Sequence, residues 1–248
     1  MRALRAPLVA VAVLVAVALA GCGGDDDRKT PNPATSAAGA STAQPVADCI
    51  DPHEQAEAGI GLRTPEGLQA DTLVFGTGST GIVYANMSEG DLCQWYPTAL
   101  VMARAGYRTA VFNYSAGAPD TDVLTVAAEL RRRGVTRIAL VGASKGGTAV
   151  LAVAGRTPVV AVVALSAPDS YQGLDALTAI GKVHAPTWLG VGEFDTDFVP
   201  SARRLFAASR AGVKHLEVVP SSGHGTALLI SADVEQQVDA FLRANAPA

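Results

Sequence analysis

The sequence predicts an α/β fold, a mainly parallel sheet with helices on both faces. Three observations carry that expectation. After Ala85, short aliphatic runs alternate with stretches of helical spacing. Some of those runs, Val159 to Leu165 above all, are apolar at nearly every position, as strands covered on both faces must be. The pentapeptide Gly142-Ala143-Ser144-Lys145-Gly146 stands between one such run, Arg137 to Val141, and a small-residue helix opening at Gly147. A strand that passes into a helix through so tight a turn needs glycine where the two elements touch.

Taken in order, Leu73-Val74-Phe75 and Gly81 to Ala85 read as two strands joined in a hairpin by Gly76-Thr77-Gly78-Ser79-Thr80. The spacing of Gly76, Gly78 and Gly81 imitates a dinucleotide fingerprint. A strand follows instead of a helix, however, and no acidic residue stands about 20 positions on to hold a ribose, so no nucleotide is expected. Trp95 to Ala105 has helical spacing and Thr109 to Phe112 is a strand. Asp120 to Arg133 is a helix with Leu124, Val126, Ala127 and Leu130 on its apolar side. After the Ser144 turn and its helix come strands at Val159 to Leu165 and Pro186 to Val191, then a helix near Ser201 to Ala211. His215 to Val219 is the last strand, and Ala227 to Ala244 the closing helix. No internal repeat is evident.

The first residues have a different character. Arg2 and Arg5 precede an uncharged apolar run, Leu8 through Ala20, which is short for a membrane span of about 20 residues. Residues 1–21 therefore read as an export signal. Its end, Leu19-Ala20-Gly21-Cys22, resembles the lipobox of bacterial lipoproteins. That resemblance implies an acyl anchor such as palmitate on Cys22 and an extracytoplasmic protein attached to the cell membrane without spanning it. Residues 22–46, acidic and then rich in Pro, Ala, Ser, Thr and Gly, lack an apolar period and read as a flexible tether. Residues 47–248 remain as one domain, long enough for a single sizeable core. With Cys22 set aside, two of the three cysteines are left, and in an oxidising location Cys49 and Cys93 are expected to pair. The formal charge of −4 becomes more negative once the signal and its arginines leave. No basic stripe interleaves with aromatics, so nucleic acid is not an expected partner.

Chemistry concentrates at three places. Open parallel sheets present functional groups at the carboxyl ends of their strands. Ser144 stands at one such end, Asp195 just past the Trp188 strand, and His224 in the Ser221-Ser222-Gly223-His224-Gly225 loop after the last strand. His53, His184 and His215 precede or begin elements instead. The chain order serine, aspartate, histidine, together with the turn around Ser144, resembles the α/β-hydrolase superfamily, and most nearly its lidless, dienelactone-hydrolase-like esterases. The resemblance runs from about Thr72 to the C-terminus.

It implies that Ser144 attacks a carbonyl carbon, His224 relays the proton, and Asp195 orients the imidazole. Asp197 and Asp169 are the alternative acids. The resemblance also implies two oxyanion donors, the Lys145 N–H and one from Asn86-Met87-Ser88-Glu89-Gly90, for which Met87 is the choice; relatives carry His-Gly where this chain has Asn86-Met87. The Lys145 ammonium is either a solvated cation or a recognition group for acidic substrates. Trp95 and Tyr96 read first as helix core and second as pocket walls. About twenty residues between Leu165 and Pro186 are too few for a large helical lid. No His/Glu cluster has metal spacing, and neither metal nor cofactor is expected. The resulting expectation is a serine hydrolase of small carboxylic esters working through an acyl-enzyme. The alternatives are an acyltransferase or peptidase of the same fold, and a non-catalytic surface lipoprotein that binds a ligand.

Overall fold

The computed structural model describes residues 47–248. The export signal 1–21, Cys22 and the tether 22–46 lie outside the described residues.

The domain opens with α1 (Pro52–Ala58), which has proline in its first turn and is capped by the Asp51 carboxylate accepting from the His53 N–H at 2.8 Å. Strands β1 (Gly59–Arg63), β2 (Gln69–Phe75) and β3 (Thr80–Ala85) follow. A 3₁₀ turn over Leu92–Gln94 leads into α2 (Tyr96–Arg104), and β4 (Arg108–Phe112) and α3 (Pro119–Arg132) come next. Then come β5 (Arg137–Ala143), α4 (Lys145–Ala154), β6 (Ala161–Leu165), and a small hairpin of β7 (Ser170–Tyr171) and β8 (Leu174–Asp175). The last part comprises α5 (Ala176–Ile180), β9 (Thr187–Gly192), α6 (Val199–Ala208), β10 (Lys214–Val219), a 3₁₀ stretch Gly225–Ile230, and α7 (Ala232–Asn245).

Eight strands form one sheet in the order β1-β2-β4-β3-β5-β6-β9-β10. β2 runs antiparallel to both β1 and β4, and every pairing from β4 to β10 is parallel. Because side chains alternate along a strand, neighbours divide between two cores. Ile82, Tyr84, Val141, Val163 and Trp188 pack with Trp95, Met102, Val238 and Leu242 of the face covered by α2 and α7. Val83, Leu140, Val162 and Leu189 pack with Val126, Leu130, Leu151, Ile180 and Leu205 of the face covered by α3 to α6. Only the β7–β8 hairpin and the short α5 stand between β6 and β9, too little for a large lid at that point of the chain.

Three sequence expectations are corrected. The β2 and β3 strands are not a hairpin, because β4 lies between them and pairs with both. Gly78 is instead required by close approach to the next turn, where a Cβ would sit 2.0 Å from the Gly106 carbonyl oxygen. The Leu73 run is not the first strand: β1 precedes it, and being glycine-bearing and only partly buried it shows no clear apolar alternation in the sequence. The closing helix is split at Ser231 into a 3₁₀ stretch and α7. Cys49 and Cys93 form a disulfide joining the start of the domain to the 3₁₀ turn before α2.

Candidate active site

Ser144 sits between the last residue of β5 and the first of α4, with φ 51° and ψ −118°, a conformation that L-residues rarely adopt. The surrounding glycines make it attainable. A Cβ on Gly142 would stand 2.3 Å from the Gly146 carbonyl oxygen, and one on Gly146 would stand 2.1 Å from that of Ala85 at the end of β3. Strand, turn and neighbouring strand are thus in direct backbone contact. The Ser144 N–H donates to the Leu165 carbonyl at 2.8 Å, tying the turn to β6 as well.

The carboxyl ends of β9 and β10 bring two further groups together. His224 Nδ1 lies 2.8 Å from Asp195 Oδ2. The Asp195 side chain is 11 % exposed and that of His224 33 %, so the acid is sheltered while the ring reaches the surface. The turn carrying Asp195 is fixed by its N–H on the Gly192 carbonyl, and its own carbonyl accepts from the N–H groups of Phe198 and Val199 at the start of α6. The Phe198 ring stands 4.2 Å from the imidazole, centre to centre. Of the alternative acids, Asp197 is exposed, and Asp169 is paired with Arg204 at 2.6 Å.

Sequence reading missed Ser166. It is fully buried just beyond β6, with φ 45°, and its hydroxyl accepts from the Gly225 N–H at 3.0 Å, next to His224. No local pattern marks it, because its partner lies 59 residues away.

Ser144 and His224 line one cleft of about 490 Å³ with Met87, Ser88, Glu89, Pro168, Tyr171 and Phe198. Its walls are largely apolar, and Glu89 is the one carboxylate among the lining residues. The Tyr171 hydroxyl on the β7–β8 hairpin comes within 3.4 Å of Ser88 Oγ, another residue of the lining. A larger groove, about 780 Å³, lies between Leu62–Glu66 and α3, where no serine, cysteine or histidine lines the wall.

The donor side departs from expectation. Lys145 opens α4, so its N–H belongs to the first turn, where helix donors are unpaired and the dipole favours negative charge. The Met87 N–H, expected as the second donor, is already given to Gln94 Oε1 at 2.9 Å. The adjacent Ser88 N–H has no hydrogen-bond partner among the described residues. The Lys145 ammonium is neither solvated freely nor part of the cleft lining: it packs 3.6 Å over the Tyr114 ring. Burial holds its pKa below the ordinary lysine value, against an opposing pull from Asp122. Asp122 is in turn raised by burial, although the Ser115 hydroxyl and N–H both donate to it. Trp95 is buried with its indole N–H on the Ala85 carbonyl, and Tyr96 packs against the same core, so neither forms a cleft wall. Among the described residues no cluster of His, Cys, Asp and Glu could hold a metal ion, and no helix is long and apolar enough to cross a membrane.

Comparison with solved structures places this architecture. An esterase domain from Rhodothermus marinus superposes with a TM-score of 0.62 at 18 % identity, covering 75 % of this chain and 97 % of its own. An esterase from Pyrococcus furiosus gives 0.66 at 14 % identity, over 75 % of this chain and 91 % of its own. A dienelactone hydrolase from Anabaena variabilis gives 0.63 at 18 %, over 76 % and 97 %. The fold is that of the α/β-hydrolases. No protein-family model matches the sequence, and no curated protein does either.

Proposed function

We propose that this chain is a serine hydrolase that cleaves small carboxylic esters through an acyl-enzyme. The observation that carries the reading is the strained Ser144 sharing a cleft with a histidine whose far ring nitrogen is held by a buried-side carboxylate. With Nδ1–H donating to Asp195, Nε2 is left as the base. Nε2 takes the Ser144 proton as Oγ attacks the carbonyl carbon, and Asp195 stabilises the imidazolium. The N–H groups of Lys145 and Ser88 stabilise the tetrahedral oxyanion. Collapse expels the alcohol, protonated by His224, and a water repeats the sequence to free the acid. The fold shared with esterases and a dienelactone hydrolase supports this reading without specifying the ester.

The cleft favours short neutral acyl groups. Its volume of about 490 Å³ suits a small acyl group, its walls are largely apolar, and Glu89 opposes carboxylate-bearing esters. We also propose attachment outside the cytoplasm through a lipid on Cys22, a reading supported by the sequence and suited to the Cys49–Cys93 disulfide. Labelling with a fluorophosphonate probe tests the chemistry. Wild-type protein is expected to be labelled and to hydrolyse p-nitrophenyl acetate and butyrate faster than the palmitate, and Ser144→Ala to do neither. Unlabelled wild-type protein would leave a binding role. Replacing Cys22 by Ser should release the protein from the membrane fraction.

A further inference from the structure

The loop from Asn86 to Gly90 carries the cleft residues Met87, Ser88 and Glu89, and it is held from behind by its neighbours. Asn86 Nδ2 donates to the Gly90 carbonyl at 2.7 Å, closing the loop on itself, and the Tyr114 hydroxyl donates to the Asn86 carbonyl at 3.1 Å. The Met87 N–H donates to Gln94 Oε1. Gln94 ends the 3₁₀ turn Leu92–Gln94, whose residues are fastened one after another. The Asp91 carboxylate caps it from the Cys93 N–H, the Leu92 N–H donates to Asn113 Oδ1, and Cys93 is covalently bound to Cys49. Ile50, next to that bridge, and Leu92 are both buried in the core. Gly90 belongs to the same arrangement. Its backbone does not require glycine, since its φ is not positive, yet a Cβ there would stand 2.1 Å from Gln94 Nε2. The space is reserved for the Gln94 carboxamide.

We propose that Gln94 is a positioning residue for the ester-cleaving reaction. By holding the Met87 N–H it fixes the peptide that follows, so that the Ser88 N–H, which has no acceptor among the described residues, is kept for the cleft, and the Cys49–Cys93 bridge anchors the turn that carries Gln94. The inference rests on the serine-hydrolase reading and adds which residues set the second oxyanion donor. Oxyanion donors contribute because they are aimed before charge develops, and a loop left free to turn its peptide loses that advantage. An interaction of this kind acts in the transition state more than in substrate binding, so its loss appears in kcat.

The test uses rates per active site, counted by fluorophosphonate titration, together with thermal unfolding. Gln94→Met keeps the volume and removes the acceptor. It is expected to lower kcat on p-nitrophenyl acetate about ten-fold with KM within about two-fold. Gly90→Ala pushes the carboxamide aside without changing Gln94 and should reproduce that loss. Because both act through one contact, the double variant should be no slower than either single one. Cys49→Ala with Cys93→Ala should lower kcat less, and not at all on top of Gln94→Met. Wild-type kcat per titrated site in Gln94→Met, or fully additive losses in Gly90→Ala/Gln94→Met, would overturn the assignment, whatever happens to the unfolding temperature. Failure of the wild-type protein to react with the probe would overturn it along with the hydrolase reading, whereas a labelled wild type with an indifferent Gln94 removes this inference alone.

Discussion

The two walls of the cleft are built in opposite ways. On the serine wall, β5, Ser144 and α4 are consecutive, and the geometry is set by backbone touching backbone. On the histidine wall, Asp195 and His224 come from loops 29 residues apart, and the buried hydroxyl that steadies the His224 loop comes from 59 residues before it. The first wall is a local conformation. The second is a consequence of sheet order, since only the adjacency of β6, β9 and β10 brings these loops together. Damage to the backbone packing of the serine wall should therefore be felt as lost fold, and loss of the acid on the histidine wall as lost chemistry in a folded protein.

The sharpest break of that contrast is on the histidine wall. Asp195→Asn keeps the shape but can hold the wrong imidazole tautomer, and kcat is expected to fall by about 10⁴ with little change in unfolding temperature. Asp197→Asn and Asp169→Asn should remain near wild type, because neither carboxylate contacts His224. An active Asp195→Asn enzyme would transfer the acid's role elsewhere. The counterpart on the serine wall is Gly146→Ala. Its new Cβ meets the Ala85 carbonyl, a backbone atom that cannot swing aside, so a loss of about 3 kcal/mol or more is expected, measured by denaturant unfolding.

A smaller effect connects the walls. Ser166→Ala leaves the buried Gly225 N–H without an acceptor, which costs about 1–3 kcal/mol. The same change frees the loop that holds His224, so kcat should drop several-fold while probe labelling persists. Equal stability of variant and wild type would show that the Gly225 N–H finds another partner.

The same contrast explains what could be read from the sequence. The Ser144 turn, α2, α3 and the parallel strands were legible because periodicity and glycine spacing are local properties. Asp195 and His224 could be located from their positions after strands. Ser166 and Gln94 could not, since each accepts a backbone N–H from a residue that no pattern links to it. The supposed β2–β3 hairpin failed for a related reason. Glycines between two apolar runs look alike whether the strands pair with each other or with a third. The Met87 donor was assigned from chain position alone, and a side chain seven residues on had already taken its N–H.

The finest test concerns Lys145, the cation that follows Ser144 in the chain. On the serine wall side chains are spent on packing, and its ammonium lies over Tyr114 away from the cleft. Lys145→Met should therefore leave unchanged the ratio of rates on neutral and carboxylate-bearing esters; a shift of that ratio toward neutral esters would return Lys145 to substrate recognition. Its charge should be visible in stability instead. Burial lowers the folded-state pKa, so between that value and the ordinary lysine value the unfolded chain binds more protons than the folded one. Stability from this group rises as pH increases through that window, the penalty for a buried ammonium being present below it. The methionine variant lacks the proton and the penalty. Its unfolding free energy, followed from pH 7 to pH 10.5, should gain less with rising pH than that of the wild-type protein.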